Sequence, residues 1–246
     1  MSKTGQTSTR RPNLDMCIAL AGFIAGVLAN LSFENVQHLL GHKDVFRKKL
    51  ITVFEISLDI YADIRAEWEK FYLDHWRLAV DFSDVHIPEK PVEGSWQLIF
   101  VAQGLTLNAT LAVMRKVFSK VSTNVEDLDG NVPTNTRTST RSYAVWVLDG
   151  VEPDEKYLGK STRDADMEGS IGITFLERLV SGVKLFVEKK QHLDVKGVTL
   201  CTSSRSLYGC VPSVYWVPGD GAVCVRTDWY SVDDSYPARG LRQAVS

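Results

Sequence analysis

Apolar positions in the first third of the chain recur every three or four residues. From Phe33 to Phe54, the side chains Val36, Leu39, Leu40, Phe46, Leu50 and Val53 fall on one helical face. A second pattern, Leu58, Tyr61, Ile64, Trp68, Phe71, Tyr72 and His75 or Trp76, leaves Asp63, Arg65, Glu67, Glu69 and Lys70 mostly on the other side. Both stretches predict helices, the second with an aromatic ridge to bury. Ahead of them, Met16 to Leu31 is apolar almost throughout, and residues 1–13 (MSKTGQTSTRRPN) are polar without period, which predicts a disordered tail.

The pattern changes after Pro88 and Pro91, because proline fixes its own φ and drives the preceding residue out of helical geometry. These prolines set the expected boundary between a helical segment, 14–87, and a domain spanning 93–246. The short runs Gln97 to Ala102 and Tyr143 to Leu148 are β-branched and aromatic, as buried strands are. Between them a helix capped by Thr106 carries Leu107, Leu111, Met114 and Phe118 inward, followed by a polar connection over 121–141. Thr174 and Glu177 have capping-box spacing ahead of Leu176, Leu179, Val180, Val183, Phe186 and Val187, an amphipathic helix ending near Gln191. Ser213 to Val217 and Ala222 to Asp228 flank the turn residues Pro218-Gly219-Asp220-Gly221 and predict a C-terminal hairpin. The expected class is α+β: an N-terminal helical segment followed by a region of order β-α-β-α-β-β-β.

Composition narrows the function more than the fold. With 246 residues, 44% of them apolar and 24% charged, the chain has enough material for a large core, and disorder as a whole is excluded. A net charge of −2, from 28 basic and 30 acidic side chains, gives no global attraction to nucleic acid or anionic membranes. Cys17, Cys201, Cys210 and Cys224 are too few and too widely spaced for a disulfide framework, so reduced thiols in a cytoplasmic protein are expected. The apolar run 16–31 has three readings. A core helix is favoured. A signal peptide follows from Lys3, Arg10 and Arg11 with a small-residue cleavage site after Ala29, and would mean export. An anchor is the third, although sixteen helical residues reach only about 24 Å, short of a membrane span.

The motifs "SFENVQHLLGHKDVF", "VDFSDVHIPEKPVEGSW", "DLDGNVPTN", "SYAVWVLDGVEPDE", "TFLERLV", "KQHLDVKGVTLC" and "RGLRQAVS" occur in that order. Together they resemble an uncharacterised family of small hypothetical proteins from uncultivated bacteria of small-genome lineages. The resemblance covers residues 32–246. It implies kinship but no activity. The chain departs from the family in "VFSKVSTNVEDLD", where a cysteine and a tryptophan are usual, and at Ser206, where an acidic residue is frequent.

Candidate chemistry is sparse. Glu34, His38 and His42 share a helical stripe at i, i+4 and i+8, but Leu39 stands where a zinc protease carries glutamate, so a solvated face is the plainer reading. Asp127, Asp129 and Asn131 begin like a calcium loop, yet Gly130 is misplaced and no glutamate closes it. No metal and no cofactor is expected. The three C-terminal cysteines lack paired knuckle spacing and read as buried thiols. What remains is the aromatic and arginine content near the carboxyl end, with Arg205, Tyr208, Trp216, Arg226 and Trp229 as the expected partner-binding residues. The expected function is a small intracellular, non-enzymatic interaction module with a protein partner. The alternatives are an enzyme built on Cys201, Ser203 and Arg205 with Asp149 or Glu177, or a nucleic-acid-binding protein.

Overall fold

The computed structural model of the chain describes residues 29–45, 60–167, 171–228, 230–233 and 238–246, together with Gly22, Ala25 and Gly26. Most of the apolar run 16–31 and the later part of the predicted helix 33–54 lie outside the described residues. The chain divides into two units, residues 1–63 and 64–246. In the first, helix α1 (Phe33–Gly41) carries Glu34 in its first turn and His38 in its last, which suits the helix dipole at both ends.

The second unit is α+β. Its elements run α2 (Ala62–Trp76), β1 (Trp96–Val101), α3 (Leu107–Val117), β2 (Val121–Thr123), α4 (Leu128–Asn131), β3 (Thr134–Asn135) and β4 (Tyr143–Leu148). A 3-10 turn (Glu155–Tyr157) precedes α5 (Thr162–Met167), α6 (Phe175–Lys189) and β5 (Val198–Leu200). The chain closes with β6 (Ser204–Arg205), β7 (Ser213–Val217), β8 (Ala222–Arg226), β9 (Arg239–Leu241) and β10 (Ala244–Val245). Three sheets result, of order β1-β4-β10, β2-β8-β7-β5-β9 and β3-β6. Among the described residues, no helix is long and apolar enough to cross a membrane.

The division at residue 63 falls well before the prolines, and hydrogen bonds explain why. Arg65 of α2 donates to the carbonyls of Phe82, Ser83 and Val85, and the Trp146 indole donates to Pro88 O. Tyr72 donates to Phe100 O at 2.8 Å. The proline-bearing segment and α2 are thus tied to the first sheet, and the expected boundary near residue 90 does not separate units. Their aromatic ridge covers the sheet face that carries Phe100, with Phe82 and Phe100 rings 4.9 Å apart.

The expected polar connection over 121–141 is also more ordered than its composition predicts. β2 pairs in parallel with β8, about a hundred residues away, and β3 pairs with β6. Neither partner is visible from a local pattern.

Helix α6 touches both large sheets. Thr174 and Glu177 close its N-terminus in the expected capping box. The expected amphipathicity gives way to burial all round over Phe175–Lys184, charged residues included. Each buried charge has a partner: Glu177 meets Arg137, Arg178 meets Asp194, and Lys184 meets Glu188 and lies over the Trp68 ring.

Candidate functional site

The five expected partner-binding residues do not form one platform. On the hairpin, Trp216 is register-paired with Val223 and Arg226 with Ser213, so period-two alternation puts Trp216 and Arg226 on opposite faces of the sheet. Trp216 stacks on His192 at 3.5 Å, with the rings 8° from parallel. Burial holds the His192 pKa below the ordinary imidazole value. Arg226 donates to Ser122 O and Oγ, tying β8 to β2. Trp229 lies outside the described residues. Arg205 curls back to donate to Thr202 O and Ser204 O. Tyr208 alone of the described four is largely exposed, at 77%.

The candidate catalytic groups are turned inward. Cys201 is fully buried, which pushes its thiol well above the ordinary value. Ser203 donates to Gly172 O, and Glu177 accepts from Arg137, Tyr143 and the Thr174 amide. Asp149 is exposed on the surface. The calcium-like carboxylates serve helix ends instead. Asp127 accepts from Gly130 N and Asn108 Nδ2, while Asp129 accepts from Leu107 N at 2.8 Å and Asn108 N at 3.1 Å, closing the start of α3. The His38 and His42 rings stack on one another at 4.5 Å. Among the described residues, no group of three His, Cys, Asp or Glu side chains is placed to hold a metal ion.

Two neighbouring features remain open to other molecules. The first is the loop from Ser206 to Cys210. Ser206 N donates to Cys210 O and Gly209 N to Ser206 O, while Ser206 Oγ accepts from Tyr208 N and Cys210 N. Gly209 takes a φ of +76°, which favours glycine. Leu207 N donates to Asn131 O at 2.8 Å, pinning the loop to the end of α4. The backbone is thereby fixed while Leu207 and Tyr208 project outward, 63% and 77% exposed.

The second is a cleft of 240 Å³ between the start of α3 and the segment 132–139. Leu105, Leu107, Val132 and Leu176 give it apolar walls, and Asp129 and Arg137 give it opposite charges. Arg137, whose side chain is 11% exposed, donates through Nε and Nη2 to Glu177 at 2.7 and 2.8 Å, and through Nη2 to Gly172 O. Burial works against the Arg137 charge, yet the Glu177 carboxylate holds its pKa above the ordinary arginine value. Tyr143 donates to the same carboxylate at 2.8 Å, and burial together with that negative charge pushes its phenol far up. Nη1 of Arg137 makes none of these bonds.

Sequence reasoning missed this cleft. Glu177 was legible as a helix cap and as a candidate acid but not as the partner of Arg137, which sits in the threonine-rich "PTNTRTSTR" with no apolar period to place it. No family model, curated protein or solved structure matches the chain.

Proposed function

We propose that the chain is a non-enzymatic interaction module that binds a protein partner through the loop Ser206–Cys210, the exposed part of the aromatic and arginine surface expected from the sequence. The observation that carries this reading is the outward projection of Leu207 and Tyr208 from a backbone fixed by five hydrogen bonds. A large side chain carried on a backbone that is fixed before binding spares the cost of ordering the loop on contact, and tyrosine is enriched among residues that dominate interface energies. The inward orientation of Cys201, Ser203 and Glu177 supports the non-enzymatic half of the proposal. Cys201, Cys210 and Cys224 are free thiols, which fits a reducing, cytoplasmic compartment. Membership in the hypothetical family that the motifs resemble is part of this proposal and adds no chemistry.

Peptide display against the full chain tests it, with Leu207→Ser and Tyr208→Ser as parallel targets. Selected peptides are expected to lose roughly tenfold or more in affinity on either variant. Failure to enrich any peptide, or peptides that bind both variants as tightly as the parent, would overturn the proposal.

A further inference from the structure

The cleft and the loop are joined through the backbone. Leu207 is hydrogen-bonded to Asn131, the residue before Val132 of the cleft, and β6, which leads into the loop, pairs with Thr134 and Asn135. A segment docked on Leu207 and Tyr208 would lie beside the stretch 131–135, part of which lines the cleft. We propose that this cleft receives a carboxamide, the side chain of an asparagine or glutamine in the partner. The inference rests on the reading of the chain as a protein-binding module and specifies what that partner carries.

Size comes first. At 240 Å³ the cleft is smaller than the roughly 300–1,000 Å³ of sites that hold cofactors and comparable small molecules, and it suits one side chain. Charge then selects among side chains. The Arg137 cation is already balanced by the buried Glu177 carboxylate, which leaves Nη1 as a donor without a surplus of positive charge. Asp129 contributes a carboxylate whose two oxygens each accept one backbone N–H and retain further lone pairs. An acidic guest would meet the Asp129 carboxylate as a like charge, and a basic guest, which carries donors but no acceptor, would leave Arg137 Nη1 unsatisfied beside a second cation. An apolar guest would cover Nη1 and the Asp129 carboxylate without satisfying them, which is costly for charged groups. A carboxamide carries no charge and supplies both missing halves: its carbonyl accepts from Arg137 Nη1 and its amino group donates toward Asp129. The Ser139 hydroxyl, already donating to Leu105 O, has only acceptor capacity left for the same amino group.

The test uses blocked single residues, so that it does not depend on a partner. N-acetylglutamine methylamide, its glutamate counterpart and its norleucine counterpart are titrated separately into the full chain. Backbone amide shifts of Val132 and Asn135–Ser139 are followed by NMR. The glutamine probe is expected to bind roughly tenfold more tightly than either of the others, the range a hydrogen bond to a charged group provides. Thr138→Trp, at the exposed rim, blocks the cleft without touching the Arg137–Glu177 pair and is expected to abolish the shifts. Arg137→Lys keeps a cation for Glu177 but removes the Nη1 donor, and is expected to erase the preference for glutamine. Equal or tighter binding of the glutamate or norleucine probe, absence of binding by all three, or shifts that survive Thr138→Trp would overturn the proposal. The two readings fail separately: glutamine binding without any loop-dependent peptide leaves the cleft standing and removes the docking loop. Loop-dependent peptides without glutamine binding do the reverse.

Discussion

Arg178 and Asp194 meet inside the protein, where two guanidinium nitrogens, Nε and Nη2, lie 2.9 and 2.6 Å from the same carboxylate oxygen, and the side chains are 3% and 0% exposed. The other oxygen of Asp194 accepts from Arg242 at 3.1 Å and from the Thr199 hydroxyl at 2.8 Å. One carboxylate thus joins α6, β5 and the chain end that precedes β10.

Removing that carboxylate leaves two buried cations facing each other's field. Asp194 has a φ of +57°, a conformation asparagine also tolerates, so Asp194→Asn removes the charge while sparing the backbone. The variant is expected to lose about 3–5 kcal/mol of unfolding free energy in urea. A loss below about 1 kcal/mol would mean that water or the Arg178 and Arg242 side chains rearrange to replace the carboxylate.

Asp154 gives a pH dependence whose sign runs against the common acid-lability of carboxylates. Burial raises its pKa to about 6 from 3.8, against the opposing effects of the Gln243 amide, 2.6 Å away, and of Arg242. The folded state then binds this proton more tightly than the unfolded state does. The cost of the charged form is present in full above about pH 6, shrinks as pH falls through that value, and is gone below the unfolded pKa near 3.8. His75 and His192 act oppositely in part of this window. Burial lowers both from 6.5, so their contribution to stability is lost as pH falls toward their folded values. Asp154→Asn separates the two, because asparagine keeps an acceptor for the Gln243 amide. The stability of the parent minus that of the variant is expected to rise, on the order of 2 kcal/mol, between pH 7 and pH 4. A difference that stays flat across that window would refute the raised pKa.

Legibility in the sequence followed the range of the interactions. Thr106 and Thr174 mark their helices correctly because capping involves residues three apart. The hairpin is equally local, with Gly221 at a φ of +58° in the turn between β7 and β8. By contrast, β2 depends on β8 and β3 on β6, so the segment between α3 and β4 reads as polar loop. The charged stripe of α6 misleads for a related reason: Glu177 and Arg178 look solvent-facing until Arg137 and Asp194 arrive from distant segments to neutralise them. The loop at Leu207 and Tyr208 lies within the stretch singled out by its arginines and aromatics. The bonds that fix its backbone, however, come from the Ser206 side chain and from Asn131, and no local pattern announces either role.

The thiols offer a direct check on the inward orientation of Cys201. Reaction with iodoacetamide needs an accessible thiolate, and burial denies Cys201 both access and ionisation. Cys210 is half-buried and Cys224 is buried. Peptide mass mapping after brief labelling in native buffer is expected to find Cys210 modified well ahead of Cys224 and Cys201. Cys201 should become labelled only when denaturant unfolds the chain. Labelling of Cys201 as fast as Cys210 would restore the enzymatic alternative built on that residue.

Gly172 and Thr202 form a pair in which one residue is small because the other is not. A Cβ at Gly172 would overlap Thr202 Oγ1, and hydrogen bonds hold the backbone on that side. The Gly172 carbonyl accepts from both Arg137 and Ser203, and the next amide, Ile173 N, donates to Arg242 O at 2.8 Å. Gly172→Ala is therefore expected to cost about 1–3 kcal/mol through overpacking. Thr202 Oγ1 is buried without a hydrogen-bond partner, so Thr202→Ala discards an unsatisfied hydroxyl and should cost less than about 1 kcal/mol. With Thr202→Ala in place, the nearest atom to the new methyl is the Thr202 Cβ position at 3.2 Å, tight but tolerable. The double variant should then be more stable than Gly172→Ala alone, with a coupling of about 1 kcal/mol or more in a urea-denaturation cycle. Strict additivity would show that the backbone around Gly172 shifts freely, and with it the carbonyl that orients Arg137 in the cleft.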